Sequence, residues 1–351
     1  MPAQPIGAQA TGLTTKQANP ALAGKANIFV GTTVVPYYQK KPANPNDGSI
    51  LTSFWVSATP PPAALFPNAT APYFITRFNP VPVAQGGNTT IPLLVTVPNA
   101  TANAANGGCA KPPAGWPVVI VQHGLQGNRT QALAIADGFA DACFVVAAID
   151  FPLHGITDTT NPLYCDATKP QCIGATERTF DIDLVNAAGA PISDGVIDPS
   201  GTHFVNIPSP ATTRDNLRQT DADLITLTKS IQTLAIAPGT PLPAGPVGVN
   251  PTRVSFAGQS LGAIVGGSHV HFANDLATVT LEEPGGGLAW TGPLAEAIER
   301  HGLDFYREIA CAPGTEVGPE DYIAACRAGG ATLPEAHLRR IFAALSAIPF
   351  H

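Results

Sequence analysis

Two uninterrupted apolar runs, separated by a helical pattern, constrain the fold of this chain more than any other feature of its sequence. The runs are Val118–Val121 and Phe144–Ile149. Between them, Leu133, Ala136 and Phe139 recur with the spacing of one helix face. Strands that are apolar at every position are buried on both faces, as they are in the middle of a parallel sheet. The pattern therefore predicts a βαβ unit at the centre of such a sheet.

Downstream of this unit, helix and strand patterns continue to alternate. A helix is predicted from an N-cap at Thr212 or Thr213 through an apolar stripe that ends at Leu234. Strands follow over residues 253–257 and 277–281, with a short helix between them. This alternation predicts a mostly parallel sheet with helices on both faces.

The N-terminal part has a different character. Strand-forming residues separated by Pro, Gly and Asn predict strands over residues 53–57, 73–78 and 91–97, which we expect to be antiparallel. Residues 1–25 show no period and are expected to form a flexible tail. Residues 151–211 are irregular and too long for an ordinary connection, and insertions of this kind commonly cover a functional site.

A Gly-x-Ser-x-Gly motif directly follows the predicted strand 253–257. It comprises Gly258-Gln259-Ser260-Leu261-Gly262 and leads into an apolar helix start. Such a motif forms a sharp strand-to-helix turn that exposes the serine Oγ at the C-terminal edge of an α/β-hydrolase sheet. A chain with 34 glycines could contain the five residues by chance, but their position between strand and helix favours catalysis. The sequence thus predicts an α/β-hydrolase fold with Ser260 as nucleophile.

A glycine-containing loop after the first central strand supplies the second element of the predicted site. In this fold the oxyanion hole uses the backbone N–H after the nucleophile, here Leu261, and one from this loop, here Leu125. His123 precedes the serine in the chain and is interpreted as structural. Residues 150–155 are interpreted as a hydrogen-bonded turn.

Composition and charge narrow the choice of partners. The net charge of −7 comes without a Lys/Arg cluster, which argues against a nucleic-acid partner. The longest apolar runs have strand length, so no integral membrane segment is predicted. No cofactor is expected. No metal is expected either: of the remaining histidines, only His269 and His271 are close enough in the sequence to suggest a metal site, and a structural role is favoured for both. The acidic pairs Glu282-Glu283 and Asp221 with Asp223 are expected to be solvated.

Six cysteines and a charged fraction of 12%, against about 25% in an average soluble domain, suit an exported protein. Disulfides are favoured between Cys165 and Cys172 and between Cys311 and Cys326, which leaves Cys109 and Cys143 over. The residues after Met1 do not resemble a signal peptide, so a leader absent from this chain is expected. Secretion, or a periplasmic or cell-surface location in a bacterium, is the predicted localisation.

These features resemble the bacterial extracellular lipases called virulence-factor lipases, which are carboxylesterases of the α/β-hydrolase superfamily. The resemblance covers roughly residues 25–290 and rests on four segments: Tyr73–Pro80, Gln122–Arg129, Gly258–Gly262 and Pro284–Gly287. It implies hydrolysis of acyl esters or glycerides, export across the inner membrane and, for some relatives, action on synthetic polyesters. Gln259 is a departure, because such elbows often have His at this position.

The sequence does not identify the acid and the base of a catalytic triad. This fold supplies them after the serine, in the order acid and then histidine. The residues that satisfy the order are Asp304 or Asp321 with His337 or His351, yet each lies in or beside a helical pattern. The core is predicted over 26–287 and a helical, cap-like segment over 288–351. Alternatively, the chain stops within that segment, before the strands that would bring the acid and base, and the sheet is incomplete.

Three functional hypotheses follow. The first is a serine carboxylesterase or lipase that hydrolyses an ester or lipid substrate through an acyl-enzyme on Ser260. Its expected substrates are acyl esters, with polyesters as a further candidate. The second is a truncated or catalytically silent module that lacks the acid and base. The third is a thioesterase or acyltransferase, because the elbow does not define the leaving group. The oligomeric state stays open.

Overall fold

A computed structural model describes residues 3–4, 6–166, 168–169, 172, 174–236, 248–273 and 275–284 of the 351-residue chain. Its strands are β1 (Gly7–Thr14), β2 (Ala26–Pro36), β3 (Asn88–Pro98), β4 (Trp116–Gln122), β5 (Val145–Ile149), β6 (Ala235–Ile236), β7 (Val249–Gln259) and β8 (Leu276–Glu282). Its α-helices are α1 (Thr15–Ala18), α2 (Leu133–Asp141), α3 (Pro210–Ser230) and α4 (Leu261–Phe272).

The eight strands form one mixed sheet in the order β6-β1-β2-β3-β5-β4-β7-β8. β5, β4, β7 and β8 are parallel to one another, whereas β3 is antiparallel to both β2 and β5. β2 therefore runs in the same direction as the parallel strands, and the C-terminal ends of β2, β4, β5, β7 and β8 share one edge. This edge, at which the predicted nucleophile Ser260 follows β7, is called the catalytic edge below.

The central strands lie between two layers, as their apolar sequences predict. Every residue of β4 and β5 is buried. On one face they pack against α3 and α4, through residues such as Leu227 and Val265. On the other they pack against α2, through Leu133, and against the insertion, through Tyr164. The predicted fold class, an α/β-hydrolase fold with a mostly parallel, helix-flanked sheet and antiparallel N-terminal strands, is confirmed for the described residues.

The N-terminal third differs from the prediction in two places. The expected tail contains β1, which pairs with β2 and buries Ala8. The segments 53–57 and 73–78 are not strands, since only isolated bridges such as Val56 with Phe74 join them. Prolines throughout this stretch remove the N–H groups that a continuous strand ladder needs. Residues 37–87 thus form an irregular excursion between β2 and β3, whereas the predicted strand 91–97 lies within β3.

Helix positions follow the predicted pattern closely. α2 contains the predicted apolar face, and α4 follows the elbow. α3 begins at Pro210 with Ser209 at the N-cap, before the expected Thr212 or Thr213. Proline suits a first helical turn, because its missing N–H has no intrahelical acceptor there. None of the helices in the described ranges is long and apolar enough to cross a membrane.

Two disulfides lie within the described residues. The predicted pair Cys165–Cys172 is present. Cys109, which was expected to be left over, bonds to Cys143 across a sequence separation of 34. These two precede neighbouring parallel strands, which brings them together at the sheet edge opposite the catalytic edge. Cys311 and Cys326 lie outside the described residues, as does the predicted cap-like segment 288–351.

Candidate active site

Ser260 lies at the sharp turn between β7 and α4. Its φ of 51° and ψ of −117° are rare for a residue with a side chain, and such strain persists only where neighbours enforce it. Its N–H donates to the carbonyl of Glu282 at 2.9 Å, and its own carbonyl accepts from Ala263 and Ile264. The backbone is held on both sides of the serine, and the residue itself is exposed.

The two glycines of the motif are required by the space around them. A Cβ at Gly258 would lie 2.3 Å from the carbonyl oxygen of Gly262, where strand and helix meet. A Cβ at Gly262 would lie 2.3 Å from the carbonyl oxygen of Gln122, at the end of β4. Both distances are far shorter than a non-bonded contact between carbon and oxygen can be. The glycines therefore let α4 start against two strands at once, which positions Ser260 on the catalytic edge.

The loop after β4 reaches the serine. A Cβ at Gly124 would lie 3.3 Å from the Cβ and 3.8 Å from the Oγ of Ser260. Around Leu125, the N–H of Gly124 points to Gln131 at 3.4 Å and the N–H of Gln126 to His154 at 3.3 Å. For the Leu125 N–H itself, the described residues provide no acceptor.

Leu261 is the first residue of α4, and an N–H at that position has no acceptor within its helix. A helix N-terminus also favours negative charge, because its free N–H groups point toward it. The structure thus brings Ser260, Leu261 and the Leu125 loop to one place on the catalytic edge. Their roles as nucleophile and oxyanion donors stay predictions.

Two buried histidines support the loops around the site. Each uses both ring nitrogens: His123 contacts the Gly124 carbonyl at 2.8 Å and accepts from Phe151 N–H at 3.1 Å. His154 contacts the Pro152 carbonyl at 2.9 Å and accepts from the Gln126 N–H. Burial lowers the pKa of His123 to about 4 and that of His154 to about 3. Both are neutral at ordinary pH, and neither ring nitrogen is free to take a proton from serine.

A buried ionic cluster anchors the far end of the same loop. Arg129 bonds to Asp150 at 2.5 Å and to Glu177 at 2.6 Å, and all three side chains are fully or almost fully buried. Its backbone N–H also donates to Asp150, at 2.6 Å. Residues 150–155 form the hydrogen-bonded turn expected from the sequence, in which the His154 N–H donates to the Phe151 carbonyl at 3.1 Å. The participation of Arg129 and Glu177 was not predicted. An arginine at the end of an otherwise neutral, glycine-containing loop is the sequence signal that could have suggested it.

The expectation that Asp221 and Asp223 are solvated is wrong. Asp223 is buried, with an ion pair to Arg178 at 2.5 Å. Asp221 accepts a hydrogen bond from Ser268 of α4, and burial raises its pKa to about 6. α3 turns this polar stripe toward α4 and the insertion instead of toward water. Glu282 and Glu283, in contrast, are exposed as expected.

The remaining predicted residues divide into two groups. His269 is buried on α4, where its Nε2 lies 3.1 Å from the Thr228 hydroxyl. The described ranges contain no cluster of three or more His, Cys, Asp or Glu side chains arranged to hold a metal ion. The candidates for triad acid and base lie outside the described residues: Asp304, Asp321, His337 and His351.

Comparison with known proteins gives one family match. Residues 83–161 match the family model of platelet-activating factor acetylhydrolase, isoform II, over less than a quarter of the chain. The matched range includes β3, β4, the loop with Leu125, α2 and β5, and it ends before Ser260. No curated protein matches the chain.

Three similar solved structures are esterases by name. An acetyl xylan esterase from a Paenibacillus species is 16% identical, with a TM-score of 0.33. The match covers 74% of this chain and 60% of that chain. A second acetyl xylan esterase, from a Thermoanaerobacterium species, is 14% identical, with a TM-score of 0.31. The match covers 62% of this chain and 56% of that chain. A ferulic acid esterase from Streptomyces cinnamoneus is 12% identical, with a TM-score of 0.29. The match covers 73% of this chain and 61% of that chain.

The match to these structures thus spans between 56% and 61% of their own lengths, and similarity this low identifies neither a function nor a substrate. The conclusion about the fold comes from the chain's own sheet order and elbow. The described part of the chain has an α/β-hydrolase core, and its residues 83–161 are similar to the family of platelet-activating factor acetylhydrolase, isoform II.

Proposed function

We propose that this protein is a serine hydrolase that cleaves carboxylic esters through an acyl-enzyme on Ser260. The observation that carries the proposal is the strained, exposed serine at a strand-to-helix turn, with the Gly124 loop beside it. A tetrahedral intermediate on Ser260 would be stabilised by the N–H groups of Leu261 and Leu125. The acetylhydrolase family match over the loop with Leu125 supports ester hydrolysis over thioester cleavage or acyl transfer.

In the proposed reaction, Ser260 Oγ attacks the ester carbonyl and its proton passes through a base to the departing alcohol. Water then hydrolyses the acyl-enzyme and regenerates the serine. The described histidines His123 and His154 are excluded as the base, because their ring nitrogens already bind the backbone. The acid and base stay unassigned, because the residues that satisfy the chain order, Asp304 or Asp321 with His337 or His351, lie outside the described residues. Acyl esters are the proposed substrates, with glycerides and polyesters as narrower possibilities within that class.

The test combines covalent labelling with turnover. The full chain is treated with a fluorophosphonate probe and assayed with nitrophenyl acetate, butyrate and palmitate. We expect labelling and hydrolysis, and we expect Ser260→Ala to abolish both. Ser255→Ala is the matched control, because Ser255 lies on the same strand and hydrogen-bonds to Thr278. Hydrolysis that persists in Ser260→Ala would refute the proposal, and labelling without turnover would favour the silent module.

We also propose that the protein is exported. Two disulfides among the described residues support this, because disulfides persist in oxidising compartments and are rare in the cytosol. Mass spectrometry of cysteine-blocked protein, isolated from the producing cells, distinguishes bonded from free thiols. Free thiols at Cys109 and Cys143 in the native protein would contradict the proposal.

A further inference from the structure

The excursion between β2 and β3 exposes large apolar side chains. Six of them, called the apolar surface below, lie within 19 consecutive residues, and three are more than half exposed. The members of the apolar surface are Leu65 (58%), Phe66 (38%), Phe74 (56%), Phe78 (40%), Val81 (60%) and Val83 (38%). Soluble proteins rarely expose apolar residues in such a cluster without a function for them.

The apolar surface is preformed. Phe74 stacks on Phe54 with centroids 4.8 Å apart, and Phe66 contacts Phe78 at 5.9 Å. Buried Asn79 ties the segment together, since its amide donates to the carbonyls of Phe74 at 3.0 Å and Thr59 at 3.2 Å. The backbone around Phe74 is therefore held with its ring exposed, which lowers the ordering cost of binding.

The charge pattern of the excursion is unlike that of the rest of the chain. Arg77 is the only charged residue between Gly48 and Ala110, and its guanidinium carbon lies 4.6 Å from the Phe78 ring centroid. Residues 37–87 contain Lys40, Lys41 and Arg77 but one carboxylate, although the whole chain has a net charge of −7. One exposed ring of the apolar surface thus lies beside a cation, in a locally positive part of an acidic protein.

The excursion also lies on the side of the sheet where Ser260 is exposed. It leaves β2 at Pro36, and the C-terminal end of β2 belongs to the catalytic edge. It is fixed to the start of α3 by the Trp55 N–H, which donates to Asp215 at 2.8 Å. A flat partner that binds the apolar surface would therefore meet the protein on its catalytic side.

We propose that the apolar surface docks the protein on the lipid–water interface of phospholipid assemblies. Aromatic and aliphatic side chains enter the boundary between headgroups and acyl chains, as they do in interfacial proteins. Arg77, whose guanidinium lies over the Phe78 ring, reaches the phosphate layer just above that boundary. One cation beside exposed apolar groups matches the order of such an interface, in which phosphate groups lie above the acyl chains. Docking depends on the excursion alone and does not require Ser260 to be catalytic.

The test uses the full chain with Ser260→Ala as parent, so that hydrolysis cannot alter the lipid. Binding is measured by co-sedimentation with vesicles of phosphatidylcholine, with and without added phosphatidylglycerol. We expect the parent to bind both, and the anionic lipid to strengthen binding because the excursion is locally positive. Replacing Leu65, Phe74 and Val81 together by Ser should weaken binding about tenfold or more, because all three insert. Arg77→Gln should weaken the effect of anionic lipid and leave binding to phosphatidylcholine close to that of the parent; an unchanged effect of anionic lipid would contradict the role given to Arg77.

Ile135→Ser is the matched control, because Ile135 is 44% exposed on α2, away from the excursion. It should bind like the parent. All variants change exposed residues, so their circular dichroism and melting temperature should stay close to those of the parent. Absence of vesicle binding by the parent, or equal binding by the triple variant, would overturn the proposal. So would a dimer in solution that the triple variant dissociates, because the apolar surface would then be a contact between two copies.

Discussion

Ser260 has free space beside it because three nearby residues are glycines and have no side chain. Gly258 and Gly262 permit the turn itself, whereas Gly124 determines how close the loop after β4, the oxyanion loop of the proposed function, comes to Ser260. A methyl group at Gly124 would be in tight contact with the Cβ of Ser260 but would not clash with buried backbone. This position therefore offers a way to disturb the site while the fold is kept.

Gly124→Ala should lower kcat/KM by about 10- to 100-fold, because displacing a reacting group by a fraction of an ångström to 1 Å costs factors of this size. The melting temperature should change little. Gly138→Ala is the matched control: no atom lies within 4 Å of its added Cβ, and alanine is the better helix former by up to about 1 kcal/mol. Unchanged activity in Gly124→Ala would mean that the loop does not approach the reacting atoms.

Arg129 tests whether the buried ionic cluster is needed for the fold. Arg129→Met leaves Asp150 and Glu177 buried without a counter-charge, and we expect a loss of about 3–5 kcal/mol in the free energy of unfolding. Arg214→Met is the control, because Arg214 is 44% exposed and its partner Asp215 keeps a second ion pair with Arg218. Its cost should be at most about 1 kcal/mol. Urea denaturation measures both, and equal losses would contradict the argument.

At the scale of elements, the contact between α3 and α4 contains a carboxylate that is poorly solvated. Asp221 accepts a hydrogen bond from Ser268, but its second oxygen has no partner within the described structure. Burial raises its pKa from 3.8 to about 6. A carboxyl group with a raised pKa binds more protons in the folded than in the unfolded state between these two values. Folding stability therefore falls as pH rises from about 4 to 6 and is then constant with respect to this group.

Asp221→Asn removes the buried charge and keeps the shape. We expect it to stabilise the protein by about 1–2 kcal/mol above pH 7, with the gain shrinking toward zero near pH 4. Asp223→Asn should have the opposite effect, since it leaves Arg178 without its ion-pair partner. Thermal unfolding from pH 4 to 8 measures both variants. A pH-independent gain for Asp221→Asn would show that its carboxyl is not the group that titrates.

How well elements could be predicted depended on how strongly burial constrains them. β4, β5, α2 and the elbow followed from the sequence, because a strand buried on both faces or a turn that requires glycine leaves few alternatives. The excursion was misinterpreted because short apolar segments such as 73–78 have strand composition, while the prolines that prevent pairing act between segments. β1 was missed because Ala8 is its only buried residue, so that its sequence has no clear apolar period.

The residues of the candidate site were predictable to a similar degree. The proximity of Ser260 to the loop that contains Leu125 follows from local motifs, whereas their catalytic roles stay predictions. The partners of Arg129 could not be predicted, because Asp150 and Glu177 are 21 and 48 residues away and meet it only through the packing of the insertion. The same holds for Asp223, whose burial depends on which side of α3 the insertion covers.

At the scale of the whole molecule, the two edges of the sheet have different roles. The elbow, the oxyanion loop, the insertion and the excursion all lie on the catalytic edge, which places every irregular segment of functional interest on one side. The opposite edge holds the disulfide Cys109–Cys143, which links the segments before β4 and β5. Stability and activity should therefore respond differently to the two disulfides.

Replacing Cys109 and Cys143 by Ala opens a loop of 34 residues and should cost about 4 kcal/mol in the free energy of unfolding, by the loss of chain constraint. Because that edge is remote from Ser260, kcat/KM should stay within about twofold below the melting temperature, as expected for a distant and independent site. Urea denaturation and ester turnover measure the two effects on the same preparation.

Replacing Cys165 and Cys172 by Ala opens a loop of only seven residues, for which the same model predicts about 2.5 kcal/mol. Its effect on activity should nevertheless be the larger one. The N–H of Cys165 donates to Glu177 at 2.7 Å, and Glu177 holds Arg129 at the end of the oxyanion loop. If this variant keeps full activity while the Cys109–Cys143 variant loses it, the insertion does not support the site, and the division of roles between the two edges is wrong.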